Sequence, residues 1–189
     1  MRRLLPIAVA LLAPLPALAH PGGDHVHGFA TGFLHPLSGV DHLVAMVAIG
    51  LWAGMLGGRL SWLLPLGFLG GMAAGGALGM TGIGLPGVEA GILASLVVLG
   101  ALVGAAGRLP AALALPMVAA FGLLHGHAHG TEAMGGTFGY EAGFLIATAL
   151  LHGAGLLLAV GAAQGSGRIA LRVAGGSAAM LAAGIALVS

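Results

Sequence analysis

From His35 to the C-terminus the chain is a succession of apolar runs of roughly twenty residues. They are cut by glycine, proline and single arginines, and their charged side chains are Asp41, Arg59, Glu89, Arg108, Glu132, Glu141, Arg168 and Arg172. A helix of about 20 apolar residues crosses about 30 Å of hydrocarbon while satisfying its own backbone hydrogen bonds. The pattern therefore predicts an all-α, polytopic membrane helical bundle. Six spans are expected, at residues 36–57, 61–80, 87–107, 109–129, 139–163 and 169–188, within one transmembrane domain covering 20–189. Composition agrees: 59% of the 189 residues are hydrophobic and 6% are charged, far outside the range of soluble domains. The lipid bilayer is thus an expected partner. A net charge of +1 gives no electrostatic footprint for nucleic acid, and the absence of cysteine removes both disulfides and thiolate metal sites.

The N-terminus reads MRRLLPIAVALLAPLPALA. Two arginines, a short apolar run broken by Pro14 and Pro16, and a final Ala17-Leu18-Ala19 have the form of a cleavable secretory signal over residues 1–19. The alternative is an uncleaved first span, for which the run is short. Cleavage would leave a histidine-rich tail, residues 20–34, outside the membrane.

Beyond the signal, the arginines fall at alternate junctions: Arg59 after the first span, Arg108 after the third, Arg168 and Arg172 after the fifth. Positive residues favour the cytoplasm, so the mature N-terminus and the C-terminus are expected in the periplasm. Apart from His152, near the middle of the fifth span, the acids and histidines then fall outside or in the outer half. Gly50, Gly54 and Gly58, and Gly67, Gly71, Gly75 and Gly79, recur at spacing four. Such faces let helices approach closely, either inside one monomer or in a homo-oligomer.

Two polar constellations carry the chemistry. The first is HPLSGVDHLVAM, residues 35–46. An ionisable group in a bilayer costs ~2.5 to 3.5 kcal/mol even on the lenient insertion scale, so Asp41 needs a partner, a water-filled cavity or an ion. His35 and His42 on a regular helix would stand ~10.5 Å apart along the axis, too far to share one ion. Pro36 and Gly39 permit a break that folds His35 back toward Asp41 and His42. Met46, one turn below His42, is either a soft ligand or packing.

The second constellation is FGLLHGHAHGTE, residues 121–132. His125 and His129 share one side of a helix, as two-histidine metal sites require, with His127 and Glu132 expected to contribute from a helix weakened by glycines. A solvated helix end is the bland alternative. His20, His25 and His27 are candidates for a metal-capturing tail or simply a soluble one. His152 is either an inner relay or a histidine bonded between helices; Glu89 and Glu141 are either an anionic rim and relay or interfacial carboxylates. Imidazole with carboxylate, and a thioether if Met46 joins, suits Ni2+, Co2+, Cu2+ or Zn2+ better than Mg2+ or Ca2+.

These motifs, with the leader and six short Gly/Ala/Leu-rich spans, resemble the HupE/UreJ family of hydrogenase and urease accessory proteins over the whole mature chain. The resemblance implies a small bacterial inner-membrane permease, not an enzyme, that imports Ni2+ as its transported substrate and holds no prosthetic group. Its motifs fall on His35, Pro36, Gly39, Asp41, His42 and Met46, and on His125, His127, His129 and Glu132. The H-x5-D-H spacing also looks like the shorter H-x4-D-H signature of the larger nickel/cobalt transporters, from which it departs by one residue. Co2+ or another divalent ion is the alternative cargo. A membrane-embedded zinc hydrolase, in which histidines hold zinc that activates water with Ser38 and Asp41 nearby, and a metal sensor or assembly partner that binds without transport are the rival classes.

Overall fold

The computed structural model describes residues 28–132, 138–163 and 165–188. They form seven helices: α1 Phe29–Ser38, α2 Val40–Leu56, α3 Leu60–Met80, α4 Val88–Ala105, α5 Ala111–Glu132, α6 Phe138–Gly161 and α7 Gly165–Val188. The last five are each long and apolar enough to cross a membrane, and α1 with α2, bent by 86° at their junction, meet that standard only together, as a broken span or a re-entrant loop, which makes five to six spans. The protein is thus a multi-pass, all-helical membrane protein. The leader, residues 1–19, and the tail histidines His20, His25 and His27 lie outside the described residues.

The break has a local cause. At the end of α1, Ser38 Oγ donates to the His35 carbonyl at 2.6 Å. Gly39 then adopts an extended conformation, φ −96° and ψ 118°, and α2 restarts with Leu43 N–H donating to the Gly39 carbonyl. A Cβ on Gly39 would lie 2.9 Å from Asp41 Oδ1 and 3.2 Å from His42 Nδ1. The absence of a side chain there leaves room for the acid and histidine that follow. Residues 29–34, assigned from the sequence to the histidine-rich tail, are helical and belong to α1. They pack on α6, where Gly32 lies against the Tyr140 carbonyl and Gly143 against that of Phe29.

The bundle is built on backbone-to-backbone approaches. A Cβ on Gly71, Gly75 or Gly79 of α3 would run into the carbonyl oxygens of Ala119, Leu123 or His127 on α5. Gly122, Gly126 and Gly130 of α5 meet the carbonyls of Phe68, Met72 and Gly76 in return. Gly50 and Gly155 make the same close contact between α2 and α6. The glycine spacing of α3 is therefore used for packing inside the monomer. Gly58 falls outside the pattern, in the turn after α2 with φ +57°.

Met46, Ile49, Trp52, Leu64, Phe68, Met72, Leu99 and Phe144 fill the middle of the bundle. Trp52 is fully buried, and its indole N–H, which needs an acceptor there, donates to the Gly107 carbonyl at 2.8 Å. Boundaries shift from expectation at two functional places. α5 continues to Glu132, so the whole HGHAHGTE segment is helical, and α7 starts at Gly165, which takes Arg168 and Arg172 into its first turns. Arg59, Arg108, Arg168 and Arg172 lie at the end of the bundle opposite Asp41, Glu89, Glu132 and Glu141.

Candidate metal site

The 86° bend turns His35 back over the start of α2, and the rings of α1, α2 and α5 meet. His129 lies 4.6 Å from His35 and 4.4 Å from His42 between ring centroids, and His42 lies 5.1 Å from His125. Phe144 of α6 packs on His129 at 4.2 Å and closes that side. Exposure falls with depth: Asp41 and Glu132 are exposed, His35 and His42 half-buried, His125 and His129 buried.

At the outer end, one donor atom each from His35, His129 and Glu132 lie within 4.8 Å of one another. Glu132 Oε2 is 3.4 Å from both His35 Nε2 and His129 Nδ1. Two donors held about 2 Å from one ion at a tetrahedral angle stand about 3.3 Å apart, so this trio is close to a binding geometry as it stands.

Deeper in, hydrogen bonds fix which imidazole nitrogen keeps a free lone pair. His42 Nδ1 is 2.9 Å from Asp41 Oδ1; a carboxylate only accepts, so Nδ1 carries a proton, and in the neutral ring Nε2 holds the lone pair. That Nε2 is buried without a hydrogen-bond partner among the described residues. In His125, Nε2 is 3.0 Å from Ser95 Oγ, whose single proton is already donated to the Ile92 carbonyl at 2.6 Å. Nε2–H must therefore be the donor, which leaves Nδ1 buried with its lone pair unused. Both nitrogens of His129 are also without a hydrogen bond, Nδ1 being within ion-pair distance of Glu132 but misaligned for one. An unsatisfied buried polar group costs ~1–3 kcal/mol. Four such nitrogens, His42 Nε2, His125 Nδ1 and both of His129, are gathered in this cluster, a donor set that a metal ion would satisfy.

The remaining candidates are not all gathered here. Asp41 touches His42 and acts on the cluster through that ring. Met46 is fully buried one turn below, with its sulfur accepting from Thr148 Oγ1 at 3.2 Å and its carbonyl accepting from His152 Nδ1 at 2.7 Å. His127, two residues from both His125 and His129, lies across the helix from them. Its Nε2 donates to the Ile83 carbonyl at 2.7 Å, beside a cavity of about 300 Å³ that Glu89 also lines. Glu89 is exposed, and Glu141 is buried against Gly76 with Oε1 unpartnered. His127→Ala is therefore expected to leave metal binding at the cluster unchanged while loosening the α3–α4 connection by ~1 kcal/mol. Faster amide exchange around Ile83 with unchanged metal titration would establish that division.

Ser95, Thr148, Tyr140 and Phe144 escaped the sequence reading. Tyr140, Phe144, Thr148 and His152 follow one another at spacing four on α6 and are all buried. That periodicity, leading down to a histidine, was the available signal. Ser95 is an isolated hydroxyl in an apolar helix and gave none.

A family model described as HupE / UreJ protein matches residues 7–187. The chain belongs to the HupE/UreJ family. Protein HupE of Rhizobium leguminosarum bv. viciae is 44% identical over 174 residues, covering 90% of this chain and 91% of that protein. No solved structure matches.

Proposed function

We propose that this HupE/UreJ protein is a secondary permease that admits a divalent transition-metal ion, Ni2+ first among them, from the periplasm to the cytoplasm for the maturation of nickel enzymes such as hydrogenase or urease. The observation that carries the reading is the set of imidazole lone pairs inside a membrane bundle. His42 and His125 each have one nitrogen committed to an acceptor and the other buried and free. Neutral imidazoles with borderline donor character suit nickel, cobalt, copper and zinc. An exposed pair of acids, Asp41 and Glu132, would attract the hydrated cation and hand it to half-buried and then buried rings.

The arginines at the opposite end favour the cytoplasm, which sets the polar mouth and both mature termini outside, after loss of residues 1–19. The tail histidines would then face the same compartment as the mouth. A membrane potential of 100 mV, negative inside, is worth ~2.3 kcal/mol per charge, so ~4.6 for a divalent ion, and drives inward flow without ATP. No enzymatic step is needed for the function proposed.

The test is entry of Ni2+, beside Co2+, Zn2+ and Cu2+, into sealed vesicles holding the purified protein and an internal metal indicator. Saturable entry that prefers Ni2+ is the expected result. Tight binding without entry would convert the site to that of a sensor.

A further inference from the structure

The cluster at the mouth does not end the series of prepared imidazoles. His152, near the middle of α6, is fully enclosed. Its Nδ1 lies 2.7 Å from the Met46 carbonyl; a carbonyl only accepts, so the proton is on Nδ1 and the lone pair on Nε2. That Nε2 is buried and has no hydrogen-bond partner among the described residues. A histidine serving only as a helix-to-helix tie would use one nitrogen and would be replaceable by an amide, without the cost of a second polar atom stranded in apolar surroundings.

Its position fits a descent from the mouth. Along α5, His129 and His125 are one turn apart, and Phe68 of α3 lies level with the next turn inward, its carbonyl against Gly122. The Phe68 ring, fully buried, packs on His125 at 5.5 Å and on His152 at 5.2 Å between centroids. Along α2, Met46 is one turn below His42 and bonds His152 through its carbonyl. Along α6, His152 is two turns beyond Phe144, the residue packed on His129. Three helices thus place His152 on the next level inward from His42 and His125, with Phe68 touching the histidines of both levels.

Resting on the permease reading, we infer that His152 Nε2 is a second, inner metal station, reached from His125 past the Phe68 ring. One imidazole nitrogen makes a weak site, which suits an ion that must leave. The Met46 sulfur, held by Thr148 one turn outward of His152, lines the step between the levels.

The structural and metal roles of His152 call for opposite substitutions. His152→Asn keeps an N–H near the Nδ1 position for the Met46 carbonyl and removes the free nitrogen. His152→Cys loses the Met46 bond and restores a metal donor. With both variants reconstituted, the inference expects His152→Asn to bind Ni2+ at the mouth as the wild type does but to admit it at least ~10-fold more slowly. It expects His152→Cys to recover entry relative to His152→Ala, with preference displaced from Ni2+ toward Zn2+ and Cu+. Wild-type entry through His152→Asn overturns the inner station and leaves the permease reading intact. Absence of entry in the wild type itself refutes the permease reading instead. If His152→Asn does not fold, Cys against Ala decides alone, since both lack the Met46 bond and equal entry through them removes the station.

Discussion

His42→Ala is expected to reduce metal entry by at least about 10- to 100-fold, the range seen when even the supports of a metal site are removed, while leaving the folded protein in place. The ring is half-buried and stands 4.4 and 5.1 Å from His129 and His125. It is the link between the outer trio of His35, His129 and Glu132 and the buried His125. Among the described residues its side chain is hydrogen-bonded to Asp41 alone, an exposed side chain, so truncation strands no buried partner there. Asp41→Ala should act in the same direction and less severely. It leaves the imidazole present but free to rotate and to carry its proton on either nitrogen, so the ring spends only part of its time with Nε2 available. The order His42→Ala worse than Asp41→Ala distinguishes an orienting carboxylate from a direct ligand, for which the two losses would be alike. Initial rates of Ni2+ entry into vesicles, normalised to monodisperse protein, measure it. Wild-type rates in both variants would remove the mouth from the pathway.

What the sequence revealed of this site, and what it hid, follows from the range of each interaction. The break at Gly39 was legible because it is local: Pro36 and Gly39 permit a bend and only a bend brings His35 near His42, although α1 runs through Pro36 and breaks at the glycine. The pairing of His125 with His129 was legible from helical periodicity alone. The fate of His127 was not. Periodicity puts it on the other side of α5, but its partner, the Ile83 carbonyl, lies 44 residues away in a connection that no pattern in the sequence describes. Ser95 is hidden for the same reason, since its meaning comes from a neighbour on another helix. The continuation of α5 through Gly126 and Gly130 ran against helix propensity, which penalises glycine by ~1 kcal/mol each. Tertiary packing reverses the penalty, because those glycines are where α3 comes closest.

That reversal makes Gly126 a position with a large expected effect on folding. A Cβ there would meet the carbonyl oxygen, carbonyl carbon and Cα of Met72. All three are backbone atoms of a helix with no rotamer to change, so α3 and α5 must separate. Separation is resisted along the whole seam, since Gly71, Gly75, Gly79, Gly122 and Gly130 meet carbonyls on the facing helix in the same way. Overpacking a fitted interior costs ~1–3 kcal/mol even where side chains can yield, and Gly126→Ala is expected at or above the top of that range. Gly153 supplies the contrast: it is also inside a long helix, α6, but is exposed with open space where a Cβ would go. Gly153→Ala should stabilise the protein by ~0.5–1 kcal/mol through helix propensity alone. The same chemical change thus takes opposite signs at two helical glycines, and unfolding in detergent micelles reads both. The consequence reaches the metal site, because Gly126 lies between His125 and His129. Any variant that survives with α5 displaced carries those two rings away from His35 and His42, so stability and metal entry should fall together at Gly126 and neither should fall at Gly153. Equal stability of the two variants would mean that the α3–α5 seam is not held by backbone contact, and the placement of His125 and His129 would then need another cause.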